Sequence, residues 1–403
     1  MALMPVAEAL EKVLAGVMPL GPEQVGLRFA ATRTLAHSVS AALTNPPFDA
    51  SAMDGYAVRA SDLKARPATL RVTGESAAGW PFGATVSAGE AVRIFTGAPV
   101  PDGADTVVIQ EDTVSDGTNV SITATVKKGS HIRLRGQDFH EGDAILARGK
   151  TLSAREILLA ASSGHGMLAV VKRPVVAILA SGDELVEPSD RPGPGQIVAS
   201  NAYGLAALVE AAGGTAKMLG IAQDTPEDLA NKIKDAEGAD ILVTTGGASV
   251  GDHDLVRPAL EAAGATLQFY KIAMRPGKPT FFGTRATTHG TQRIVGLPGN
   301  PIASMIGARV FLVPLIAAML GRSTPVTTTT AVLAEPVTAN GPRDHYMRGV
   351  VDMQCSPPRA TAFAEQDSAQ VAAFARANCL IVVPANAPAL AAGAKVSVML
   401  LDF

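Results

Sequence analysis

Two glycine-rich junctions are the first candidates for chemistry. Each follows an apolar, strand-like run, in DILVTTGGASVGDHD and in RIVGLPGNP. Glycine lets the backbone approach a ligand closely, and the N–H groups at a following helix N-terminus favour phosphate. A tight turn that binds nothing has the same composition, but two such junctions in one sheet favour a ligand. The residues concerned are Gly246, Gly247, Ser249, Gly251 and Asp254 in the first junction, and Pro298, Gly299, Asn300 and Pro301 in the second.

A cationic turn is the second candidate. Lys271, Arg275 and Lys278 fall within eight residues of YKIAMRPGKPTFF, around a Pro-Gly turn. Side chains on either side of such a turn can point to one place and bind an oxyanion or a phosphate. A solvated charged turn is the alternative, but the position between apolar strands favours the anion site.

Carboxylates recur after the apolar runs of the same region. Asp183 and Glu184 follow ILAS, Asp224 follows LGIAQ, and Asp252 and Asp254 follow the first glycine-rich junction. Several carboxylates near a phosphate are the usual oxygen ligands of Mg²⁺. Any single one can instead cap a helix, so the prediction of a Mg²⁺ site depends on their convergence.

Several other chemistries lack their motifs. The chain has no G-x-x-x-x-G-K-[ST] loop and no G-x-G-x-x-G after a strand, which disfavours an ordinary ATPase or a dinucleotide dehydrogenase. It has no H-E-x-x-H or C-x-x-C pair and no G-x-S-x-G, which disfavours zinc catalysis and a serine hydrolase.

Composition limits the class of protein. The 403 residues are 47% hydrophobic, enough for two to four domains, and the formal net charge of -3 gives no reason to bind nucleic acid or an anionic membrane. Two cysteines, Cys355 and Cys379, fit a reducing compartment. The acidic N-terminus predicts an amphipathic helix rather than a signal peptide, and Ile302 to Leu320 is predicted to be a buried helix. We therefore expect a cytoplasmic protein.

The N-terminal part of the chain predicts helices around a β-rich insertion. Apolar spacing in VAEALEKVLAGV and FAATRTLAHSVSAAL predicts two helices within residues 1–44. Short β-prone runs separated by Gly, Pro and Asp fill residues 45–143, and SAREILLAASSGHG predicts another helix at Ser153. The flanking helices could pack together, so residues 1–44 with 144–172 predict a helical region, the insertion a β-rich arm, and the whole an elongated molecule.

The rest of the chain predicts an α/β domain and a small β domain. Apolar strands alternate with amphipathic helices over residues 173–323, which predicts a mostly parallel sheet covered on both faces, with ligands beyond the carboxyl ends of the strands. Thr324 to Thr330 reads as a linker. The runs AVLAEPV, CLIVVPA and KVSVMLLDF within residues 324–403 predict a small β-barrel or sandwich.

Three polar segments of the β-rich part are left undecided by pattern alone. They are NPPFDASAMDGYAV, which contains Asp54, RIFTGAPVPDGADTVV, which contains Thr96, and HIRLRGQDFHEGD, which contains Asp138. Each is too polar for a core strand and reads equally well as a generic turn.

Together these strings resemble the MoeA-type molybdopterin molybdenumtransferase family, which includes the C-terminal domain of gephyrin. The segments above, with SGDEL and RPGKP, stand in the family order over nearly the whole chain. The resemblance implies a multidomain α/β fold: a three-layer molybdopterin-binding domain, a helical linker region, an inserted β-rich arm and a C-terminal β-barrel. It also implies an elongated homodimer, with its active cleft between the α/β domain of one subunit and the arm of the other.

The same resemblance implies the function and the site. The substrates are adenylylated molybdopterin and molybdate, and AMP leaves in a Mg²⁺-dependent step. The implied catalytic residues are Asp54, Thr96, Asp138, Glu184, Asp224, Lys271 and Arg275. The implied cofactor-binding residues are Gly246, Gly247, Ser249, Gly251, Asp254, Lys278, Pro298, Gly299, Asn300 and Pro301. The implied metal ligands are Glu184, Asp224 and Asp254, and the implied partners, besides a second copy, are transient: the adenylyltransferase and cofactor acceptors.

One departure and two alternatives stay open. Arg275 stands where the family commonly has lysine, which keeps the charge but offers a planar fork in place of a point charge. A molybdopterin adenylyltransferase shares the glycine-rich loops but does not need residues 45–143. A gephyrin-like scaffold that binds without turnover is the non-enzymatic alternative.

Overall fold

The protein, seen in a computed structural model, is described over residues 3–246, 255–322 and 328–402. The chain forms two compact units. The sheet–barrel unit comprises the residues up to Glu23, Thr32–Ala36 and the residues from Ala169 onward, and the β-rich unit comprises Gln24–Ala31 and His37–Leu168. Helix α1 (Val6–Leu14) opens the chain in the sheet–barrel unit, and β1 (Pro22–Gly26) leads out of it.

The β-rich unit is built on one six-stranded sheet with the order β7-β4-β6-β5-β9-β8, in which both faces are covered by buried apolar side chains. Two short ribbons, β10 with β3 and β11 with β2, and the helix α2 complete it. Its elements are β2 (Val39–Ser40), β3 (Ala50–Ser51), β4 (Gly55–Val58), β5 (Ala68–Ser76), β6 (Glu90–Ile94), β7 (Thr106–Ile109), β8 (Thr113–Ser115), β9 (Asn119–Ile122), β10 (Ile132–Arg133), β11 (Ala144–Leu146) and α2 (Ala154–Ser162).

The sheet–barrel unit holds a second six-stranded sheet. Its order is β16-β13-β17-β21-β20-β18; the first four strands are parallel and the last two antiparallel, so the sheet is mixed. Its elements are β12 (Met167–Val171, entering from the β-rich unit), β13 (Val175–Ser181), β14 (Leu185–Val186), β15 (Ile197–Val198), α3 (Ser200–Ala212), β16 (Thr215–Ala222), α4 (Pro226–Asp235), β17 (Ile241–Thr245), α5 (Val256–Ala262), β18 (Thr266–Phe269), β19 (Met274–Arg275), β20 (Phe281–Thr287), β21 (Gly290–Leu297), α6 (Pro301–Gly307) and α7 (Val313–Met319).

Alternate residues of these strands enter two different apolar clusters. Ile178 and Val243 pack with α1, α3, α6 and α7, whereas Leu179 and Leu242 pack with α4 and α5. Such an alternation is expected of strands buried on both faces. A π-helical turn, Ala308–Leu312, joins α6 to α7, and the resulting helix is long and apolar enough to cross a membrane, but 83% of its most apolar window is buried inside the protein. Its hydropathy is thus that of a core helix, as predicted.

A closed five-stranded barrel lies near the C-terminus. Strands β23, β24, β22, β26 and β25 pair in that order, and β25 pairs again with β23 to close the ring. The barrel alternative of the sequence prediction is therefore the correct one. The elements are β22 (Thr328–Leu333), β23 (Asp344–Asp352), β24 (Arg359–Ala362), α8 (Val371–Arg376), β25 (Cys379–Val383) and β26 (Lys395–Leu400).

Two local predictions were wrong. The segment FAATRTLAHSVSAAL is not an α-helix: Thr34 and Ala36 exchange backbone hydrogen bonds with residues 169–171, so its apolar side chains are buried by strand-like pairing instead. The linker prediction fails at Thr328–Thr330, which lie in β22 because β-branched residues fit a pleated surface; residues 324–327 lie outside the described part.

One strand was missed by the sequence analysis. β20 (Phe281–Thr287) forms an antiparallel hairpin with β21, so the predicted parallel alternation ends before the last two strands of the sheet. The confirmed helices of the same region include α3 and α4, and α4 begins with Thr225 as its N-cap and Pro226 in its first turn.

Candidate functional site

The four parallel strands end at one edge of the sheet, and polar side chains follow them there. Ser181 closes β13, and its Oγ donates a hydrogen bond of 3.0 Å to Oδ1 of Asp224, just beyond β16. The backbone N–H of Asp224 donates to Oδ1 of Asp183, also at 3.0 Å. Neighbouring strand ends are thus joined by side chains, as the carboxyl edge of an open α/β sheet predicts.

Glu184 is folded back against this edge. Gly182 has φ +148, and a Cβ placed on it would lie 2.4 Å from a carboxylate oxygen of Glu184. A side chain at position 182 would therefore displace that carboxylate. The backbone carbonyl of Glu184 accepts from the N–H of Ile197, which ties β15 to the same loop.

A cavity of about 230 Å³ opens at these strand ends. It brings together four of the residues predicted for the site: Glu184, Gly246, Gly299 and Pro301. Further lining residues are Ala180, Ser181, Leu185, Ile197, Val198, Ala199, Ser200, Asn201, Ala202 and Thr245. The cavity therefore has an apolar wall and a polar wall, which suits a ligand with a flat apolar body and hydrogen-bonding groups.

Gly246 is required by a close backbone approach. It has φ +94, and an added Cβ would lie 2.4 Å from the carbonyl oxygen of Ser181. Gly299 lies beside it, because a Cβ on Gly299 would meet the Cα of Gly246 at an ordinary 3.5 Å. The two glycine-rich junctions thus meet in space, as predicted. Gly247, Ser249, Gly251 and Asp254 lie outside the described residues.

The second junction carries Asn300, whose side-chain oxygen has no partner among the described residues. Oδ1 of Asn300 is buried and, within the described parts of the chain, accepts no hydrogen bond. Pro298 is buried, and Pro301 is the first residue of α6. A buried acceptor without a donor is costly, so Asn300 offers a bond to a ligand or a water molecule.

Ser181 and Asn201 are site residues that the sequence analysis missed. Nδ2 of Asn201 donates a hydrogen bond of 2.7 Å to the carbonyl of Gly299, and both residues line the cavity. The available signals were a serine placed directly between a buried strand and glycine in ILASGDEL, and an asparagine in the first turn of α3 in VASNAYG.

The cationic turn lies between β18 and β20. The backbone N–H of Ile272 donates to the carbonyl of Lys278, which places Lys271 and Lys278 near each other along the turn. Arg275 is exposed and pairs in register with His345 of the barrel. Among the described residues, no hydrogen bond or ion pair within 4 Å engages the charged groups of these three side chains, nor does any link them to the strand-end carboxylates.

His345 is a buried residue that pairs in register with Arg275 of this turn. It is 9% exposed, and burial, with the charges of Arg275 and Arg343, lowers the pKa of His345 to about 4. The ring is therefore neutral near pH 7 and adds no charge to the turn. Three cations that have no ion-pair partner among the described residues favour binding of a multiply charged anion.

The predicted metal ligands fit Mg²⁺ only in a substrate-dependent way. Asp254 lies outside the described residues, and over the described ranges no group of three or more His, Cys, Asp or Glu side chains could hold a metal ion. Glu184 and Asp224 remain, both exposed at the strand ends. Because Mg²⁺ keeps several waters and is commonly bound by one or two carboxylates together with substrate phosphates, either carboxylate is a suitable ligand.

In the β-rich unit, Asp54 is held by Thr96. Oδ1 of Asp54 accepts hydrogen bonds of 2.8 Å from both the backbone N–H and the Oγ of Thr96. These bonds, followed by the charge of Arg93, outweigh desolvation and lower the pKa of Asp54 below its usual range. Arg93 is itself fixed by stacking on Tyr56, 5.1 Å from its ring centroid. Asp54 is thus an oriented, ionised acceptor.

The three polar segments that pattern left undecided meet in this unit. Nδ2 of Asn45 donates to Oδ2 of Asp138 at 3.1 Å, the N–H of Arg135 donates to Asp49 at 2.8 Å, and the N–H of Gly97 donates to the carbonyl of Ser51 at 2.8 Å. A cavity of about 540 Å³ opens among them. Its lining residues are Asn45, Pro46, Pro47, Phe48, Ala50, Gly97, Arg133, Gln137 and Asp138.

Comparison with known proteins accounts for all of these segments. Residues 4–164 match the MoeA N-terminal region (domain I and II), residues 177–318 a probable molybdopterin binding domain, and residues 330–401 the MoeA C-terminal region (domain IV). The molybdopterin molybdenumtransferase of Bacillus subtilis is 34% identical over 98% of this chain and 94% of its own. That of Nostoc sp. is 42% identical over 73% of this chain and 68% of its own.

Solved structures agree with the sequence comparison. The molybdopterin biosynthesis MoeA protein from Pyrococcus horikosii superposes with a TM-score of 0.85 at 29% identity, over the whole of both chains. The fold and the site together define a multidomain α/β protein of molybdenum cofactor biosynthesis. The chain belongs to the MoeA family of molybdopterin molybdenumtransferases.

Proposed function

We propose that this chain inserts molybdenum from molybdate into adenylylated molybdopterin and releases AMP. The observation that carries the proposal is the cavity at the strand ends, where Glu184, Gly246 and Gly299 meet. Close backbone approach at two glycine junctions suits a pterin phosphate or the AMP group, and the apolar wall suits a flat ring. Family membership supports the same substrate class.

The cations supply the charge that the reaction needs. Molybdate and the diphosphate are both anions, and Lys271, Arg275 and Lys278 make no ion pair with described residues. They would attract the oxyanion and stabilise negative charge as the phosphoanhydride splits. Water adds across the P–O–P bridge and leaves AMP and the pterin phosphate. The two dithiol sulfurs replace one oxygen of molybdate, which leaves with their two protons as one water molecule.

Mg²⁺ belongs to this proposal as the cofactor. Glu184 and Asp224 would hold it, together with Asp254. When bound, it would supply positive charge that neutralises the phosphate groups and the leaving AMP. Ser181 orients Asp224 through the 3.0 Å hydrogen bond, so the carboxylate faces the edge in one position.

Residues of the β-rich unit are proposed to serve the same reaction. Asp54, fixed by Thr96, would hold the attacking water, and Asp138, fixed by Asn45, would bind a polar group of the substrate. The family resemblance supplies the arrangement: a homodimer in which one subunit's β-rich part serves the partner's pterin site.

The remaining expectations are part of the same proposal. They are the four-region division of the chain, the elongated form, the three-layer α/β domain and a cytoplasmic location. The two apolar clusters on opposite faces of the second sheet support the three-layer arrangement. Transient contacts with the adenylyltransferase and with cofactor acceptors would deliver the substrate and remove the product.

The test is AMP release from adenylylated molybdopterin on addition of molybdate and Mg²⁺. We expect molybdate-dependent release by the intact protein and a loss of about 100-fold or more in Asp54→Ala and Asp224→Ala. Asp190→Ala is the matched control, because Asp190 is an exposed acid whose side chain contacts only Ser189 among the described residues. Tight pterin binding without AMP release would favour the scaffold alternative. AMP incorporation from ATP would favour the adenylyltransferase.

A further inference from the structure

A second cavity of the sheet–barrel unit lies between α4 and α5 and has a volume of about 440 Å³. It shares no residue with the cavity at the strand ends. Its lining residues are Pro226, Ala230, Ile233, Lys234, Glu237, Leu255, Pro258, Ala259, Ala262, Ala263 and Arg285. Most of these are apolar, so the charged members decide what the groove accepts.

Arg285 is the unusual member of this lining. It is 8% exposed, and its Nε donates to Oε1 of Gln292 at 2.7 Å while Nη2 donates to the carbonyl of Ile233 at 2.8 Å. Over the described residues, Nη1 has no acceptor and no carboxylate oxygen lies within 4 Å of the guanidinium. Nη1 is not a buried atom without a partner but is open to solvent where Arg285 lines the groove, so an anion bound there would gain a charge-assisted hydrogen bond.

The other charged groups do not neutralise Arg285. Glu237 acts on it at longer range and is bonded through Oε1 to the hydroxyl of Thr288 at 3.0 Å. Lys234 adds a second positive charge to the lining. The groove therefore carries two cations and one anion, a net charge of one positive.

Capping of α4 explains only part of this arrangement. The bond from Nη2 to Ile233 satisfies a carbonyl in the last turn of the helix, where a cation is favourable. It does not require an open apolar groove beside the same guanidinium. The N–H groups of Nη1 carry part of the positive charge and have no acceptor among the described residues.

We propose that the groove between α4 and α5 binds a small amphipathic carboxylate. The carboxylate accepts from Nη1 of Arg285, with Lys234 nearby, and the apolar chain lies along Ile233, Leu255 and Ala259. The volume is within the range of small-molecule sites. A charged oxyanion alone would leave the apolar wall uncovered, and an alcohol or amine would leave the guanidinium without a counter-charge.

The test uses hexanoate as the probe, with hexan-1-ol and hexylammonium as matched ligands. Methyl NMR signals of Ile233 and Leu255 are followed during titration of the intact protein. We expect saturable binding of hexanoate with a dissociation constant of roughly 1 mM, and binding of the other two that is at least about tenfold weaker. Equal binding of hexan-1-ol, or no hexanoate-induced shift at these methyl groups, would overturn the proposal.

Variants separate the contribution of the Arg285 charge to hexanoate binding from the contribution of the open groove. Arg285→Met removes the charge and should weaken hexanoate at least about tenfold, whereas Arg285→Lys should restore part of the affinity. Ala263→Trp fills the groove from an exposed position without touching Arg285, and Ala207→Trp on the exposed side of α3 is its control. Hexanoate binding that survives Ala263→Trp, or that is lost equally in Ala207→Trp, would contradict the assignment even if Arg285→Met fails to fold.

Discussion

The candidate acids of the β-rich unit and the candidate cations of the sheet–barrel unit are held in opposite ways. In the β-rich unit each acid already has a donor: Asp54 has Thr96, Asp138 has Asn45 and Asp49 has Arg135. In the sheet–barrel unit the cations of the turn have no partner among the described residues. The acids are therefore oriented before any ligand arrives, whereas the cations gain their counter-charge from the ligand.

Substitutions of the acids and of the cations should therefore differ in whether they affect the stability of the protein or only its function. Removing an acid of the β-rich unit leaves its donors unsatisfied and disturbs the loops that they join. Removing a cation of the turn breaks no ion pair with a described residue, so the expected loss is one of binding and rate. The following predictions run from the largest expected effect to the smallest.

Gly246→Ala should destabilise the sheet–barrel unit by about 2–4 kcal/mol, because the new Cβ would meet the Ser181 carbonyl at 2.4 Å in a left-handed conformation. Gly299→Ala is the matched control and should change stability by less than about 1 kcal/mol, since its Cβ would make an ordinary 3.5 Å contact. Urea unfolding of both variants measures this. Equal effects would mean that Gly246 does not approach the Ser181 carbonyl as closely as described.

Lys271→Ala should lower molybdate-dependent AMP release by about 100-fold and leave the thermal unfolding midpoint nearly unchanged. Removal of the Lys271 ammonium group breaks no ion pair with the described part of the chain. Lys64→Ala, an exposed lysine of the β-rich unit, is the control for general charge loss. A large drop in unfolding temperature would show that Lys271 is structural and would break the contrast between the units.

Acidification should destabilise the protein through His345. The pKa of His345 in the folded state is about 4, below the ordinary 6.5. At a pH between these two values, the imidazole is protonated in the unfolded chain but neutral in the folded protein. This contribution is absent above pH 7 and costs about 2 kcal/mol on going from pH 7 to pH 5. Unfolding by urea at the two pH values should show that His345→Gln has the weaker pH dependence. An unchanged dependence would refute the assignment.

Thr96→Val should lower AMP release by about tenfold, because it removes one of two hydrogen bonds to Asp54 and keeps the other. The pKa of Asp54 should rise towards its ordinary value, so the acidic limb of the rate profile should move to higher pH. Thr96→Ser retains the hydroxyl and should behave as the intact protein. A shift of the same size in Thr96→Ser would point to packing rather than to the hydrogen bond.

The sheet–barrel site was the more predictable of the two. Its residues follow the apolar strands of one predicted parallel sheet, and parallel strands place their carboxyl ends at one edge, so a common location for Gly246 and Gly299 could be inferred. Ser181 and Asn201 were missed because a lone serine or asparagine beside glycine is common in turns that bind nothing.

The β-rich site could not be inferred from pattern. Asn45 and Asp138 are 93 residues apart in sequence, and Asp54 and Thr96 are 42 apart, so their contact depends on long-range strand pairing. Only the resemblance to a family selected them. The wrong helix at FAATRTLAHSVSAAL has a related cause, since its apolar period was satisfied by pairing with residues 169–171.

The central claim, that acids of one unit and cavity residues of the other serve one reaction across a homodimer, is tested most directly by complementation. Asp54→Ala and Asp224→Ala chains are co-expressed with different tags and AMP release is measured on the mixed dimer pool. If one subunit's β-rich part serves the partner's pterin site, half of the dimers are mixed and each has one intact site, so activity should recover to about a quarter of that of the intact protein. Activity that stays at the level of the single variants would contradict the shared site.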